Sequence, residues 1–442
     1  MASDSASLQP AMWRVGSTPH PMLDRLGNPL SIEPPSFDPH PAYLNSSQSR
    51  HWTFHPSALA SLRRDTHEKV CDSILQYVSE TPNSSHPELL TVEDEVAIMR
   101  FYLMRIGKLV KAVGLPSLIE ATAMSFMKRF YLRNSCMQFH PKLIMLTSIY
   151  LASKAENYPI PLAHFCAQVN KNAGTSAQAQ QAPSAVRGDV TESIISQIEF
   201  GMVQSLDFEL GVHGAHRALY GFILDIQTVM PQLTQEDLLL LAGKAQTYLH
   251  LSRLTDAEFL YTPSHIALAS CWMCHISTSS SDKEPLLGKD IVKKWLESKE
   301  ERSAQLFKQK RSERTAWQQK KQTLQHETFS PDSTLSQDSS SHEYPKSSHV
   351  YDFGLSVSRV ESILNSISQL IESVISSPIS ASAPKPAIDL DRVKQIDLNL
   401  RGCLSVFDAM QQTHSRKRPA DQDTNASKRA RFPNEDSDSE DS

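Results

Sequence analysis

The sequence predicts an all-helical fold built from two helical units in tandem. Apolar residues recur at spacings of three and four through most of the stretch from 56 to 278, as they do on one face of an amphipathic helix. Only 14 of the 442 residues are glycine, which argues against an architecture of strands and tight turns. A nearly apolar helix that starts at a proline occurs twice, at Pro141 and at Pro263. Because a helix that is apolar all round belongs inside a bundle, each unit has a candidate central helix.

Two amphipathic helices open the chain's ordered part. The first starts at Pro56, a residue suited to the first turn of a helix, and its apolar positions run from Leu59 to Tyr77. The second opens at Thr91, a suitable N-cap that is followed by acidic residues. Its apolar residues then alternate at spacings of four and three as far as Val113. Both patterns predict one buried face and one solvated face.

Three further helices complete the first unit. One begins at Pro116, the next begins at Pro141, and the last covers residues 190–206. The helix from Pro141 has no polar face for about three turns, so we expect it at the centre of the unit. A short element around Phe165 and a polar stretch at 170–188 separate it from the last helix, and the polar stretch predicts a loop.

A second unit begins near Tyr220, with helices around Phe222, at 238–254 and from Pro263. A polar stretch interrupts it, and apolar order returns at Val360. We therefore divide the chain into a disordered extension at 1–44, an N-terminal helix at 45–80, the first unit at 88–210, the first part of the second unit at 211–278, a disordered or partly helical insertion at 279–350, C-terminal helices that complete or cap the second unit at 351–410, and a disordered charged tail at 411–442.

The composition argues against several functions. A formal net charge of −5 gives no reason to expect direct nucleic-acid binding, and no apolar run approaches the roughly 20 residues that span a membrane. The chain has no nucleophile elbow, phosphate loop or metal signature, so we expect neither enzyme activity nor a cofactor. Residues 271–275 (CWMCH) spell the haem-attachment pattern, but they lie in an apolar helix and no second close Cys/His pair could complete a zinc site. Buried structural cysteines and no metal are therefore expected.

Three stretches of the sequence resemble one protein family. They are residues 47–54 (SQSRHWTF), residues 126–132 (FMKRFYL) with 139–154, and residues 254–268. In this order they resemble the cyclin family, and within it the H-type cyclins, with insertions particular to this lineage. The resemblance covers about residues 45–278, and residues 355–410 resemble the family's C-terminal helices more loosely.

The resemblance implies two tandem five-helix cyclin boxes with flanking N- and C-terminal helices. Cyclins are non-catalytic subunits that hold the αC helix and activation segment of a cyclin-dependent kinase in the active arrangement. H-type cyclins act with a RING-finger assembly factor in the kinase-activating complex of TFIIH, which phosphorylates the C-terminal repeats of RNA polymerase II and other cyclin-dependent kinases.

Two other functions stay open. One is a cyclin-fold transcription factor of the TFIIB type, which binds DNA or polymerase without a kinase, and the other is an interaction scaffold. The first class often carries an N-terminal zinc ribbon and basic helices. This chain has no CxxC pair near its N-terminus, and its helices are not strongly basic.

The resemblance also supplies candidate kinase contacts. They are seven residues at or beside the positions that face the kinase in the family: Trp52, Phe54, Lys108, Lys111, Lys154, Glu156 and Phe165. Trp52 and Phe54 either contact the kinase or pin the N-terminal helix to the first box. The chain departs from the family pattern twice, because Ala112 stands where a lysine is usual and Asn157 stands where a second acid is usual.

Two basic clusters near the C-terminus have the spacing of a bipartite nuclear-import signal. Their residues are Arg416, Lys417 and Arg418, then Lys428, Arg429 and Arg431. A transcription-linked function favours this interpretation over a solvated run of charge, so we expect a nuclear protein that importin carries. Ser437 and Ser439 lie among acidic residues and are candidate sites for acid-directed kinases.

Overall fold

The computed structural model describes residues 43–81, 86–175, 190–276, 286–327, 357–375 and 386–416, and within them the fold is helical. The first seven helices are α1 (Ser47–His51), α2 (Pro56–Glu80), α3 (Val92–Val113), α4 (Ser117–Phe130), α5 (Pro141–Ala155), α6 (Leu162–Thr175) and α7 (Glu192–Ser205). The next seven are α8 (Ala215–Val229), α9 (Gln235–Ser252), α10 (Ala257–Leu260), α11 (Pro263–Trp272), α12 (Gly288–Glu327), α13 (Val357–Glu372) and α14 (Leu390–Arg416). Two antiparallel two-residue strands, β1 (His275–Ile276) and β2 (Leu286–Leu287), accompany them, so the all-helical prediction is confirmed.

The helix starts follow from local chemistry. Pro56 and Pro141 occupy the first turns of α2 and α5, as their fixed backbone angle favours. Thr91 caps α3 by accepting a hydrogen bond from the backbone N–H of Asp94, whose carboxylate in turn accepts from the backbone N–H of Thr91. Pro116 stands one position before α4 rather than inside it. These four predicted helix starts are therefore confirmed to within about one residue.

The centre of the first unit is shared between α4 and α5. We expected α5 there, and it packs against α3, α4 and α7. However, α4 is the more enclosed helix, because every residue from Ile119 to Phe130 is buried. Two of its buried charged residues form hydrogen bonds with other parts of the chain. Lys128 donates to the carbonyl of Thr255, and Arg129 donates to the side chain of Gln48. These partners are distant in sequence, so hydrophobic periodicity could not reveal this burial.

The second unit consists of α8, α9, α11, α13 and the start of α12, with the one-turn α10 before α11. The predicted boundary at residue 278 is therefore too early. Ile291, Val292 and Leu296 of α12 are buried in its core. The backbone N–H of Gly288 donates to the carbonyl of Cys274 at 2.7 Å, so α12 starts directly against α11. This 40-residue helix is polar after its short apolar start, so the sequence pattern does not reveal that the start belongs to the core.

The two C-terminal helices pack on different parts of the fold. Helix α13 packs against α11, α9 and α12, whereas α14 returns to α2 and α3 in the first part of the chain. An ion pair between Arg392 and Asp94 at 3.0 Å fixes α14 to the start of α3. Helix α13 therefore completes the second unit, and α14 covers the N-terminal helix. Helix α6 also extends to Thr175, six residues into the expected loop.

Several predictions lie outside the described residues. They include disorder over most of 1–44 and 411–442, five residues of the import signal (Lys417, Arg418, Lys428, Arg429 and Arg431), and the two serines Ser437 and Ser439. Arg416 is the last residue of α14. Within the described ranges, no helix is long and apolar enough to cross a membrane.

Candidate functional site

Residues 47–54 contact the connection between the two units, and we call these residues the clasp. The side chain of Trp52 is 1% exposed, and its Nε1 donates to the carboxylate of Glu209 at 2.7 Å. The guanidinium groups of Arg129 and Arg133 lie 5.0 Å and 5.1 Å from its ring. Phe54 donates its backbone N–H to the carbonyl of Phe259 at 2.7 Å. Of the two roles open for Trp52, the geometry therefore supports pinning the N-terminal segment, because a buried ring is not available to a partner.

The same clasp holds the chain between α7 and α8. The side-chain oxygen of Gln48 accepts hydrogen bonds from Arg129 at 3.1 Å and from the backbone N–H of His213 at 2.7 Å. Arg129 also donates to the carbonyls of Glu209 and Gly211. These bonds tie α1, α4 and the connecting segment together. Sequence reasoning missed Glu209 and Gln48, because neither lies in an apolar pattern that marks it as buried.

An open groove of about 400 Å³ lies on the surface where α5 packs against α7. We call it the α5–α7 groove, and its lining residues are Leu151, Lys154, Ala155, Ser196, Glu199, Phe200, Val203 and Leu210. Most of this lining is apolar, and the Phe200 side chain is 64% exposed. An exposed phenyl ring on a groove between two packed helices is a typical anchor for a partner protein.

One ion pair crosses this groove. The Nζ of Lys154 contacts the carboxylate of Glu199, so α5 and α7 each contribute one charge. The Nζ of Lys154 also lies 4.8 Å from the centre of the Tyr150 ring. The Lys154 side chain keeps 41% of its surface exposed and the Glu199 side chain 18%, so Lys154 is the more accessible of the two charges. Sequence reasoning predicted Lys154 but missed Glu199, which lies on the polar side of α7.

The end of α5 explains one departure from the family pattern. Asn157 has a φ of 61°, in the left-handed region where asparagine is tolerated better than most residues. Its N–H donates to the carbonyl of Lys154, and the N–H of Tyr158 donates to the carbonyl of Ser153, which together form a Schellman motif. Glu156 accepts a hydrogen bond from the hydroxyl of Thr122 on α4. Position 157 therefore ends the helix rather than presenting a charge.

The other predicted contacts lie away from the groove lining. Phe165 is completely buried, with its ring 5.8 Å from that of Tyr150, so it is a core residue and is not free to touch a partner. Lys108 and Lys111 are exposed on α3. The structure thus brings one of the seven predicted contacts, Lys154, into the groove and adds Glu199 and Phe200 beside it.

The two cysteines of the CWMCH stretch are structural. Cys271 and Cys274 are buried, and burial raises the pKa of the Cys274 thiol to about 12, so it stays protonated at neutral pH. Within the described ranges, no group of three His, Cys, Asp or Glu side chains is arranged to hold a metal ion. The described residues present a helical surface with an open, mostly apolar groove and one ion pair, which is the kind of surface that protein partners use.

Comparisons with known proteins agree with this class. Residues 73–211 match the cyclin N-terminal domain and residues 214–373 match the cyclin C-terminal domain. The chain is 30% identical over 238 residues to cyclin mcs2 of Schizosaccharomyces pombe, an alignment that covers 52% of this chain and 68% of that protein. It is 33% identical over 230 residues to cyclin-H of Xenopus laevis, with coverages of 52% and 67%.

A solved structure shares the fold. It is the CAK complex from Chaetomium thermophilum, in which the matching chain has a TM-score of 0.57 and 19% identity, with 86% of this chain and 96% of that chain covered. The protein described here belongs to the cyclin family. It is a regulatory, non-catalytic subunit, as its similarity to cyclin-H indicates. The second domain match runs to residue 373, which agrees with the inclusion of α12 and α13 in the second box.

Proposed function

We propose that this cyclin activates a cyclin-dependent protein kinase by receiving a helix of the kinase in the α5–α7 groove. The observation that carries the proposal is the combination of an exposed Phe200 with the Lys154–Glu199 ion pair on one open groove. An amphipathic helix can place its apolar face on such a groove, while the two charges fix its register. We infer that the kinase segment presents polar groups that pair with both charges.

The rigidity of the platform supports activation rather than binding alone. A ligand shifts a conformational equilibrium only by its differential affinity for the two states. The groove walls α5 and α7 pack on a buried core, and the clasp around Trp52 fixes the segment that follows α7. On this proposal the kinase helix fits these walls in its active position and not in its inactive one. The active arrangement is therefore the one that the cyclin stabilises.

The similarity to cyclin-H and to cyclin CCL1 of Saccharomyces cerevisiae supports a finer assignment. On this assignment the complex is the kinase module of TFIIH, with a RING-finger assembly factor as the third subunit. Its substrates are the C-terminal repeats of RNA polymerase II and other cyclin-dependent kinases. The two basic clusters at 416–418 and 428–431 serve importin-dependent entry into the nucleus, where the complex phosphorylates these substrates.

Reconstitution tests the proposal. The full chain is purified with the cyclin-dependent kinase subunit of the same organism, and phosphorylation of a peptide of polymerase repeats is measured with and without the cyclin. We expect a stable complex and a large gain in rate. A folded chain that neither binds nor stimulates this kinase, and that instead binds duplex DNA with steep salt dependence, would favour the TFIIB-type alternative.

A further inference from the structure

Helix α12 continues far beyond the core of the second box. Its start is docked on α8, where the Nε1 of Trp295 donates to the carboxylate of Asp225 at 2.8 Å. From residue 304 to residue 319, every side chain that the structure describes is exposed except Trp317, which is half-buried. At about 1.5 Å per residue, residues 302–321 extend the helix by about 30 Å. We call residues 302–321 the α12 arm.

The α12 arm is strongly basic in a chain that is acidic overall. It contains seven lysines and arginines and one glutamate, whereas the whole chain has a formal net charge of −5. The glutamate, Glu313, accepts a hydrogen bond from the side chain of Gln309 at 3.0 Å. Lys308 and Arg311 are exposed, and neither has an acidic residue three or four positions away along the helix. Their helical neighbours therefore do not neutralise their charges.

Some of these like charges stand at the spacing of helical neighbours. Lys308, Arg311 and Arg314 follow each other at intervals of three residues, and like charges at neighbouring helix positions destabilise the helix. Burial does not offset this repulsion, because nearly all of the described side chains of the arm are exposed. An anionic partner would offset it. The arm therefore has the properties of a binding surface for a polyanion.

The charges lie on more than one side of the helix, which favours a flexible partner over a rigid one. Arg302 and Arg311 are nine residues apart, which is about two and a half helical turns, so they lie on opposite faces. Both are exposed. Duplex DNA is stiff over about 30 Å and would touch only one of these faces. A flexible anionic peptide can follow the helix round both.

The chain's own acidic stretch fits the arm less well. Residues 434–442 contain five acidic residues, but the basic cluster at 428–431 stands directly before them in the sequence. Because so few residues separate the two, the acids meet this cluster at a higher effective concentration than they meet the arm. The arm is thus left for an anionic peptide from another protein.

We propose that the α12 arm binds phosphorylated C-terminal repeats of RNA polymerase II. The inference rests on the proposed function, under which the complex itself adds these phosphate groups. Each phosphate carries a charge of about −1.5 to −2 at neutral pH, so the repeats become a flexible polyanion as the reaction proceeds. Modified repeats that stay on the arm keep the unmodified repeats of the same chain near the active site.

Charge reversal on the arm tests this assignment. Lys308→Glu combined with Arg311→Glu changes two exposed side chains, so the variant cyclin should melt at the temperature of the unmodified chain. We expect its complex with the kinase to bind a phosphorylated synthetic peptide of several repeats at least tenfold more weakly, as measured by fluorescence anisotropy. Equal affinity of this variant complex and the unmodified complex would overturn the proposal.

The matched control makes the same change of charge near the start of the same helix. Lys293→Glu combined with Lys294→Glu replaces two exposed lysines that lie outside the arm. This control should keep the phosphopeptide affinity of the unmodified complex. Loss of affinity as large as that of the arm variant would show that the net charge of the cyclin, and not the arm, determines binding, and the proposal would be wrong.

A separate measurement distinguishes the arm from the proposed function. The rate on an unphosphorylated single-repeat peptide reports kinase activation alone, and it should be equal for the unmodified complex and both variants. If the unmodified cyclin does not stimulate this rate, the proposed function is refuted, whereas the anisotropy titration still reports directly whether the arm binds the phosphopeptide.

Two competitions test the other occupants. Duplex DNA and single-stranded RNA should displace the phosphopeptide from the complex only at higher concentrations than the unlabelled phosphopeptide does, at the same ionic strength. A chain that ends at residue 416 should bind the phosphopeptide no more tightly than the full chain. Displacement by either nucleic acid at a lower concentration, or tighter binding by the shortened chain, would identify a different occupant and contradict the proposal.

Discussion

Replacing Phe200 by alanine should weaken kinase binding and leave the cyclin folded. Phe200 lies on α7 and lines the α5–α7 groove, and its side chain is 64% exposed in the free protein. Most of the ring therefore contributes nothing to the stability of the cyclin itself. A kinase helix in the groove would cover the ring, so the substitution removes apolar contact area in the complex alone.

The size of the effect follows from the exposed area. A buried aromatic side chain covers about 150–250 Å², so a ring that is 64% exposed offers about 100–160 Å² to the kinase. At about 25 cal/mol per Å², this area is worth about 2.5–4 kcal/mol. Interface area converts only partly into affinity, because binding also costs entropy and desolvation. We therefore expect the dissociation constant to rise by about 10- to 100-fold.

The assay is a direct titration of the kinase subunit with wild-type and variant cyclin, together with thermal melts of each cyclin alone. Leu224→Ala is the matched control, because Leu224 is 68% exposed but lies on α8 in the second box. In the absence of other subunits it should bind the kinase as the wild type does. If Phe200→Ala remains folded and binds the kinase with unchanged affinity, the groove is not the kinase site.

Three further outcomes are expected. Lys154→Glu should lower kinase activation at least tenfold, as kinase assays would show, yet it should cost the free cyclin only about 1 kcal/mol, because the ion pair with the acid on α7 is partly exposed to solvent. Gly288→Ala should destabilise the second box by about 3 kcal/mol in denaturant melts, because the new Cβ would lie 2.0 Å from the carbonyl oxygen of Cys271; wild-type stability would contradict the contact. Burial raises the pKa of Asp256, but two 2.6 Å hydrogen bonds from Arg63 outweigh this and hold it below its usual value. This clamp should stabilise the fold fully above about pH 4 and lose its effect as pH falls through the folded pKa, so Asp256→Asn should flatten the acid limb of stability against pH.

Much of the helical framework could be predicted from local signals. Proline at the first turn and threonine before an acidic turn mark where α2, α3 and α5 begin, because proline has no N–H to leave unpaired there and the threonine side chain accepts from a free backbone N–H. The start of α12 could not be predicted in this way. Gly288 is buried by tertiary contact with α11, and only about three turns of the helix carry apolar residues toward the core. Because α12 is polar on average over its 40 residues, the sequence pattern does not reveal the short apolar segment at its start that packs on α11.

The candidate site was harder to predict because it depends on which helix faces meet. Lys154 could be identified from the resemblance, but its partner Glu199 is 45 positions away on α7, and no local pattern links them. Phe165 and Trp52 were predicted as contacts, and both are buried. An aromatic residue at helical spacing is as consistent with a core position as with an interface. Burial in the folded chain, rather than residue type, separates Phe165 from Phe200.

The motif at 47–54, whose residues Gln48 and Trp52 are buried, still bears on the α5–α7 groove through α7. Helix α7 carries Glu199 and Phe200 and leads directly into the segment that the clasp holds. Within that segment Leu210 lines the groove, and the carbonyls of its neighbours Glu209 and Gly211 both accept hydrogen bonds from Arg129. Trp52 in turn lies against Arg129 and binds Glu209. The two roles considered for Trp52 therefore converge, because a residue that pins the N-terminal segment also fixes one wall of the surface that the kinase would meet.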